Sequence, residues 1–400
     1  MYVTHPIRKV LSPVMPVCRF IRPALLVFML SVATTPWANG QLVENSIPAP
    51  TNINQNRCPC IMPDYSVVFQ VHAPNANKLQ IDLGKKYDME KGENGIWTVR
   101  TEPIEPGFHY YFLVIDDVSV ADPASQSFYG TGKMTSAIDI PEPGIDFYTI
   151  KEVPQGALSS KYYYSEVTKS WRRLFVYTPP GYDQDLTKKY PVVYIQHGGG
   201  EDETGWATQG KADIILNNLI AEGKAVPMIL VIANGNIGFG RGGYSSEGMT
   251  GFKREMIENI VPFIDKNYRT LTDPKNRAIC GLSMGGGQSF YAGLENLAYF
   301  GSVGIFSSGI FGGISTNVDN VFDAEKEIPG LFSQSDKFNE KLDLFYISCG
   351  EGDPRIGHTK KAVATMRTNG LKVEFNSFPG DHEWQVWRKS LHDFAIRVFK

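Results

Sequence analysis

From the middle of this 400-residue chain onward, three side chains and two backbone amides have the types and order that acyl transfer requires. Ser283 sits at the centre of Gly281-Leu282-Ser283-Met284-Gly285. A serine hydroxyl attacks only if a base takes its proton and a turn holds it clear of its neighbours, and a sharp strand-to-helix elbow does the second. The crowded backbone of such an elbow needs small residues two before and two after the serine, and both here are glycine. The apolar run from Arg277 to Cys280 reads as the preceding strand, and Gly286 onward as the start of a helix.

The base emerges by elimination among seven histidines. His72 and His109 lie in a β-rich first half, His197 precedes a glycine run and reads as loop support, and His358 and His392 fall in helical stretches. His382, in "FPGDHEW", follows the last apolar strand and can reach over the sheet edge. A carboxylate must fix its tautomer. Asp353 in "ISCGEGDPRIG" follows the preceding strand and gives the order Ser, Asp, His of α/β-hydrolases, with Glu351 and Asp381 as rivals. A developing oxyanion needs amide donors. The Met284 N–H is one; Gly199, in "QHGGGEDETGW", is the expected second. Trp206, Trp384, Arg241, Tyr244 and Glu247 are candidate substrate contacts by their place in loops after strands; core packing is the competing role for the tryptophans. The glycine run lacks the Lys-Ser/Thr ending of a phosphate loop. Cys58-Pro59-Cys60 has no histidine cluster beside it, and its spacing is too tight for an easy mutual disulfide; Cys280 and Cys349 read as buried thiols. No cofactor and no metal are expected.

The elements that must position these groups alternate. "PVVYIQ", "PMILVIA", "NRAICGL", "GSVGIF", "LDLFYISCG" and "VEFNSF" read as buried strands, separated by amphipathic stretches such as "ADIILNNLIA" and "FKREMIENIVPFIDKNY". This grammar predicts a mostly parallel central sheet covered on both faces, with the site at the carboxyl ends of its strands. Before it, short strands broken by turn residues predict a small all-β, immunoglobulin-like sandwich. The expected boundaries are 1–40 signal peptide, 41–60 tether, 61–145 sandwich and 146–400 α/β-hydrolase domain. Residues 1–40 place basic residues before "ALLVFMLSVATT" and small residues after it, the order of a cleavable export signal. A secreted protein, periplasmic or extracellular, with no stable membrane association after cleavage is expected. Lys+Arg 39 against Asp+Glu 42 gives a net charge of −3, with no basic block for a nucleic acid to follow.

The motifs "FVYTPPGYD", "YPVVYIQHGGGEDETGW", "CGLSMGGGQS", "CGEGD" and "GDHEWQVWRKSLHDF" resemble the esterase D-type α/β-hydrolases of carbohydrate esterase family one, over about residues 150–400. That family includes feruloyl and acetylxylan esterases. The resemblance implies Ser283 as nucleophile, His382 as base, Asp353 as its orienting acid, and Met284 with Gly199 as oxyanion donors. It implies acylated xylan or its oligosaccharides as partner. "VVFQVHAPNANKLQI", "GIWTVRTEPIEPGFHYYFLVID" and "ADPASQSFYG" are similar to the early-set sandwich related to family-48 carbohydrate-binding modules, in which Trp97 is either a sugar platform or core. Two other readings stay open: a siderophore esterase of the enterobactin-hydrolysing type, which calls for a basic site, and a catalytically silent glycan-binding protein.

Overall fold

The apolar runs pair into one eight-stranded sheet in the computed structural model, which describes residues 45–238, 245–311 and 323–400. Its strands are β1 (Ala157–Ser165), β2 (Ser170–Thr178), β3 (Val192–Gln196), β4 (Ile229–Ala233), β5 (Arg277–Leu282), β6 (Ser302–Phe306), β7 (Leu344–Gly350) and β8 (Glu374–Phe378). They lie in the order β1-β2-β4-β3-β5-β6-β7-β8. The pairs β1–β2 and β2–β4 are antiparallel and all others parallel. Every residue of β3 to β7 is buried, because helices cover both faces. The helices Ala212–Ala221 and Trp384–Arg397 pack on one face. Met284–Leu294, Ile356–Thr368 and the run Ser246–Asn267, interrupted by a π turn at Glu255–Ile260, cover the other. The stretch "RRLFVYT" also reads as a strand and is β2, whereas β1 escaped the sequence reading. It is an edge strand with one neighbour, and Tyr162 and Tyr164 on it face solvent, so it shows no apolar run.

Register fixes where the chemistry falls. Gln196 lies opposite Gly281, Gly281 opposite Ile305, Phe306 opposite Ser348, and Gly350 opposite Phe378. The loops that follow β3, β5, β7 and β8 therefore leave the sheet side by side.

The sandwich precedes this sheet. Val67–His72 pairs with Ile96–Arg100 in one layer; Leu79–Asp82, Gly107–Ile115, Lys133–Ile140 and Ser127–Gly130 form the other. Trp97 is buried between the layers with its indole N–H on the Ala73 carbonyl, which makes it core and not a sugar platform. The tether expected over 41–60 does not hold where it is described. Ile47–Pro48 pairs antiparallel with Cys60–Ile61, Ala49 is buried, and Asn52 ties the intervening loop to the carbonyls of Asn56 and Pro59. Composition suggested a linker; side-chain amides bonded back to the backbone made it a sandwich edge instead. The signal segment 1–40 lies outside the described residues.

Residue 145 marks a change of pattern but not a gap in packing. Phe108, Phe128, Ala137 and Tyr148 join Trp206, Trp384 and Trp387 in one continuous cluster. Asp139 of the sandwich accepts from both terminal nitrogens of Arg388, at 3.0 and 3.2 Å, and from Lys211 at 2.6 Å. Arg388 also donates to the Gln209 carbonyl. Cys280 and Cys349 are buried free thiols, and the Cys58 and Cys60 sulfurs lie 3.3 Å apart as thiols. Among the described residues no helix is long and apolar enough to cross a membrane, and no cluster of three or more His, Cys, Asp or Glu could hold a metal.

Candidate active site

The elbow is built by exclusion. A Cβ on Gly281 would stand 2.6 Å from the carbonyl carbon and oxygen of Gly285, and one on Gly285 would stand 2.5 Å from the His197 carbonyl oxygen. Neither contact can relax, since all these atoms are backbone. Between the two glycines Ser283 is held at φ 50°, ψ −112°, a conformation ordinary residues avoid. Its amide donates to the Phe306 carbonyl at 2.8 Å, which ties the turn to β6. The strain is the price of lifting Oγ off the sheet at the N-terminus of the helix Met284–Leu294, whose unpaired amides and dipole favour developing negative charge.

His382 Nε2 is 3.0 Å from Ser283 Oγ, and His382 Nδ1 is 2.6 Å from Asp353 Oδ2. Asp353 is fully buried; its other oxygen accepts from the Arg355 amide at 2.9 Å and the Arg355 guanidinium at 3.2 Å. Burial pushes the Asp353 carboxyl up, but the His382 hydrogen bond and charge, with Arg355, hold it below the ordinary carboxylate value. A carboxylate on Nδ1 keeps that nitrogen protonated and leaves Nε2 free to take a proton from Ser283. The rivals do other work. Glu351 accepts from the Ser377 hydroxyl, and Asp381 accepts from the His382 amide, steadying the loop rather than the ring. The imidazole also stands edge-on to Trp387, 5.0 Å between centroids.

The glycine loop after β3 borders the serine closely enough that a Cβ on Gly198 would lie 3.6 Å from Ser283 Cβ. The Gly198 amide is already used, donating to Glu201 at 3.1 Å, so Gly199 offers the next amide. His197 locks the loop from below. Its Nδ1–H donates to the Gly198 carbonyl at 2.8 Å and its Nε2 accepts from the Gly235 amide at 2.9 Å. Burial lowers its pKa, which keeps the ring neutral for that arrangement.

A cavity of about 650 Å³ opens beside these groups. Gly199, Glu201, His382, Glu383, Trp384 and Trp387 line one wall. The other wall belongs to the sandwich: Asp82 to Gly84, Phe108 to Tyr110, Phe112, Thr131 and Lys133. The sandwich touches the glycine loop directly, through the Gly132 amide on the Gly200 carbonyl at 2.8 Å.

A family model described as "Putative esterase" matches residues 165–398, more than half of the chain. The chain belongs to this esterase family. An endo-1,4-beta-xylanase/feruloyl esterase of Xylanibacter ruminicola is 34% identical over 371 residues, 89% of this chain but 48% of that relative. Endo-1,4-beta-xylanase Y of Acetivibrio thermocellus is 33% identical over 201 residues, 47% of this chain and 17% of its own length. The esterase thus spans about half the first relative and less of the second. Among solved structures, a CE1 ferulic acid esterase of Anaeromyces mucronatus is 29% identical with a TM-score of 0.54, over 64% of this chain and 95% of that one. The enterobactin esterase of Shigella flexneri, at 16% identity and TM-score 0.61, shares the fold over 84% of this chain and 93% of its own.

The structure brings Ser283, His382 and Asp353 of this esterase together, with the Met284 amide beside Ser283 and Gly199 on the cavity wall. Trp206 needs correction. It is fully buried, its indole N–H donates to the Gln196 carbonyl at 2.9 Å, and its ring meets Trp384 edge-on, so it packs beneath the loop and touches no substrate. Trp384 does line the cavity but is only 2% exposed, and its N–H is spent on the Tyr110 hydroxyl; it is wall more than platform. Arg241 and Tyr244 lie outside the described residues, and Glu247 is exposed in the first turn of its helix. Sequence reasoning missed every sandwich residue of the cavity, His109 included, and Glu201, whose place directly after the glycines was the one available signal.

Proposed function

We propose that this esterase is exported and removes acyl groups, feruloyl or acetyl, from xylan-type polysaccharide by way of an acyl-enzyme on Ser283. The observation that supports it most is the unbroken Ser283–His382–Asp353 hydrogen-bond chain on a strained elbow. His382 Nε2 takes the Ser283 proton as Oγ attacks the ester carbon. The amides of Met284 and Gly199 receive the oxyanion. His382 then returns the proton to the departing sugar hydroxyl, and a water repeats the sequence to release the carboxylic acid. The substrate class rests on the xylanase/feruloyl esterase relative, which aligns with 89% of the chain. It also rests on a cavity with aromatic and polar walls, of a size ordinary for ligand sites. A multiply anionic catechol lactone would fare poorly there, because the cavity lining balances Lys133 and His109 with the acids Asp82, Glu201 and Glu383. Export rests on the order of residues 1–40.

The test is incubation with acetylated, feruloylated arabinoxylan and quantification of both free acids. Ser283→Ala should lower kcat by about four to six orders of magnitude. Undiminished release by that variant would remove Ser283 from the mechanism, and turnover of a catechol lactone but not of xylan would replace the substrate class.

A further inference from the structure

Glu201 is a carboxylate buried beside the reaction centre that the mechanism above does not use. One oxygen accepts from the Gly198 amide at 3.1 Å; the other accepts from the Tyr110 hydroxyl at 3.1 Å. Tyr110 comes from the sandwich strand Gly107–Ile115, 91 residues away in sequence. Its oxygen already accepts two N–H groups, from Gln209 at 2.9 Å and from Trp384 at 3.1 Å. Its own proton is therefore committed to Glu201. The ring has a reserved place, since a Cβ on Gly130 would fall 2.4 Å from it.

We propose that Glu201 is the positioning residue of the oxyanion loop, required as a carboxylate and braced from behind by Tyr110 of the sandwich, so that fixing the Gly198 amide aims the next amide, that of Gly199, at the acyl oxygen. The inference rests on the reading of Ser283 and its oxyanion donors given above. Its physical core is the charge of that carboxylate. The neighbours of the carboxylate point hydrogens at it, so a proton on either oxygen removes the negative charge those bonds rely on and weakens both. Protonation therefore loosens both the loop and its brace.

Burial raises the Glu201 carboxyl to about 7, in spite of those donors. The groups around it do not supply a countercharge. Its chain neighbour Asp202 is acidic, the sandwich presents the Tyr110 phenol with Asp82, His109 and Lys133 elsewhere on the cavity wall, and the terminal helix and its loop present His382, Glu383 and Trp384. Among the described residues no cation pairs with Glu201. Its working form exists above its pKa and is lost as pH falls. Protonation of Glu201 therefore adds one proton-linked loss of activity to the acid side of the profile.

The experiment uses the full chain and a small soluble aryl ester, which removes any dependence on xylan. log(kcat/KM) is measured from pH 5 to 9, with activity recovered on return to pH 8 as a check on folding. The expected acid limb of the wild type is steeper by about one proton than that of Glu201→Gln, which also lowers kcat roughly 10- to 100-fold at pH 8 with little change in KM. Tyr110→Phe keeps the ring and removes one donor to the carboxylate, so its limb moves to higher pH. A wild-type acid limb no steeper than that of Glu201→Gln, or an unmoved limb in Tyr110→Phe, overturns the proposal. Activity surviving in Ser283→Ala would instead overturn the reading on which it rests.

Discussion

Replacing Asp139 by Asn tests how firmly the sandwich is welded to the catalytic domain. The carboxylate accepts two bonds from Arg388, which is fully buried, and one from Lys211. Burial alone would push Asp139 up, but the charges of Arg388 and Lys211 hold it at about 2 against an ordinary 3.8. A lowered folded pKa contributes stability that is full above the unfolded value and disappears as pH falls toward the folded one. Roughly two pKa units correspond to about 2–3 kcal/mol, present at neutral pH and lost between about pH 4 and pH 2. Asn removes more than this, because the Arg388 guanidinium stays buried without its partner while half-buried Lys211 can turn to water. The expected loss is about 3–5 kcal/mol, out of a total of order 5–15. Urea unfolding at pH 7, followed by tryptophan fluorescence, reads it as a shift in midpoint at constant slope. Adding Arg388→Met to Asp139→Asn should recover about 2 kcal/mol, as the uncompensated charge is then gone. A single-variant loss below about 1 kcal/mol, or a double variant no better than the single, would refute the weld.

Two further substitutions probe the site. Asp353→Asn should keep the fold but lower kcat about 10⁴-fold, since an amide N–H facing His382 Nδ1 favours the wrong tautomer; a loss under about tenfold on a soluble ester would count against Asp353. Gly285→Ala places a methyl 2.5 Å from the His197 carbonyl oxygen and should destabilise by about 3 kcal/mol or abolish soluble expression, whereas a Tm within about 2 °C of wild type would show that the elbow can give.

The parts of this molecule that could be read from sequence are those where local chemistry leaves no choice. Gly281 and Gly285 are small because backbone stands where a side chain would go, and buried parallel strands are apolar on both faces because both faces are covered. Asp353 was found because it follows such a strand, and His382 because it follows the last strand of the sheet, β8. The rest depended on contacts that sequence spacing does not encode. Tyr110 meets Glu201 across 91 residues and Asp139 meets Arg388 across 249. Nothing in the stretch around Tyr110 marks it, among the aromatics of "FHYYF", as the one that bonds to Glu201. Trp206 failed for a related reason. A tryptophan in a loop near the site can turn toward substrate or toward core, and here the indole N–H went to the Gln196 carbonyl at the end of its strand.

The shared wall of the cavity bears on how such a protein can be recombined. A foreign β-module spliced ahead of residue 146 would need a phenol at the place of Tyr110, no side chain at that of Gly130, and an acid at that of Asp139. Those three demands fall on different strands, so chance exchange between unrelated genes will seldom meet them at once. The portable cassette is the pair, from the strand at Ile47 through the terminal helix, and libraries that vary substrate preference by grafting should cut outside it or redesign both sides of the seam together.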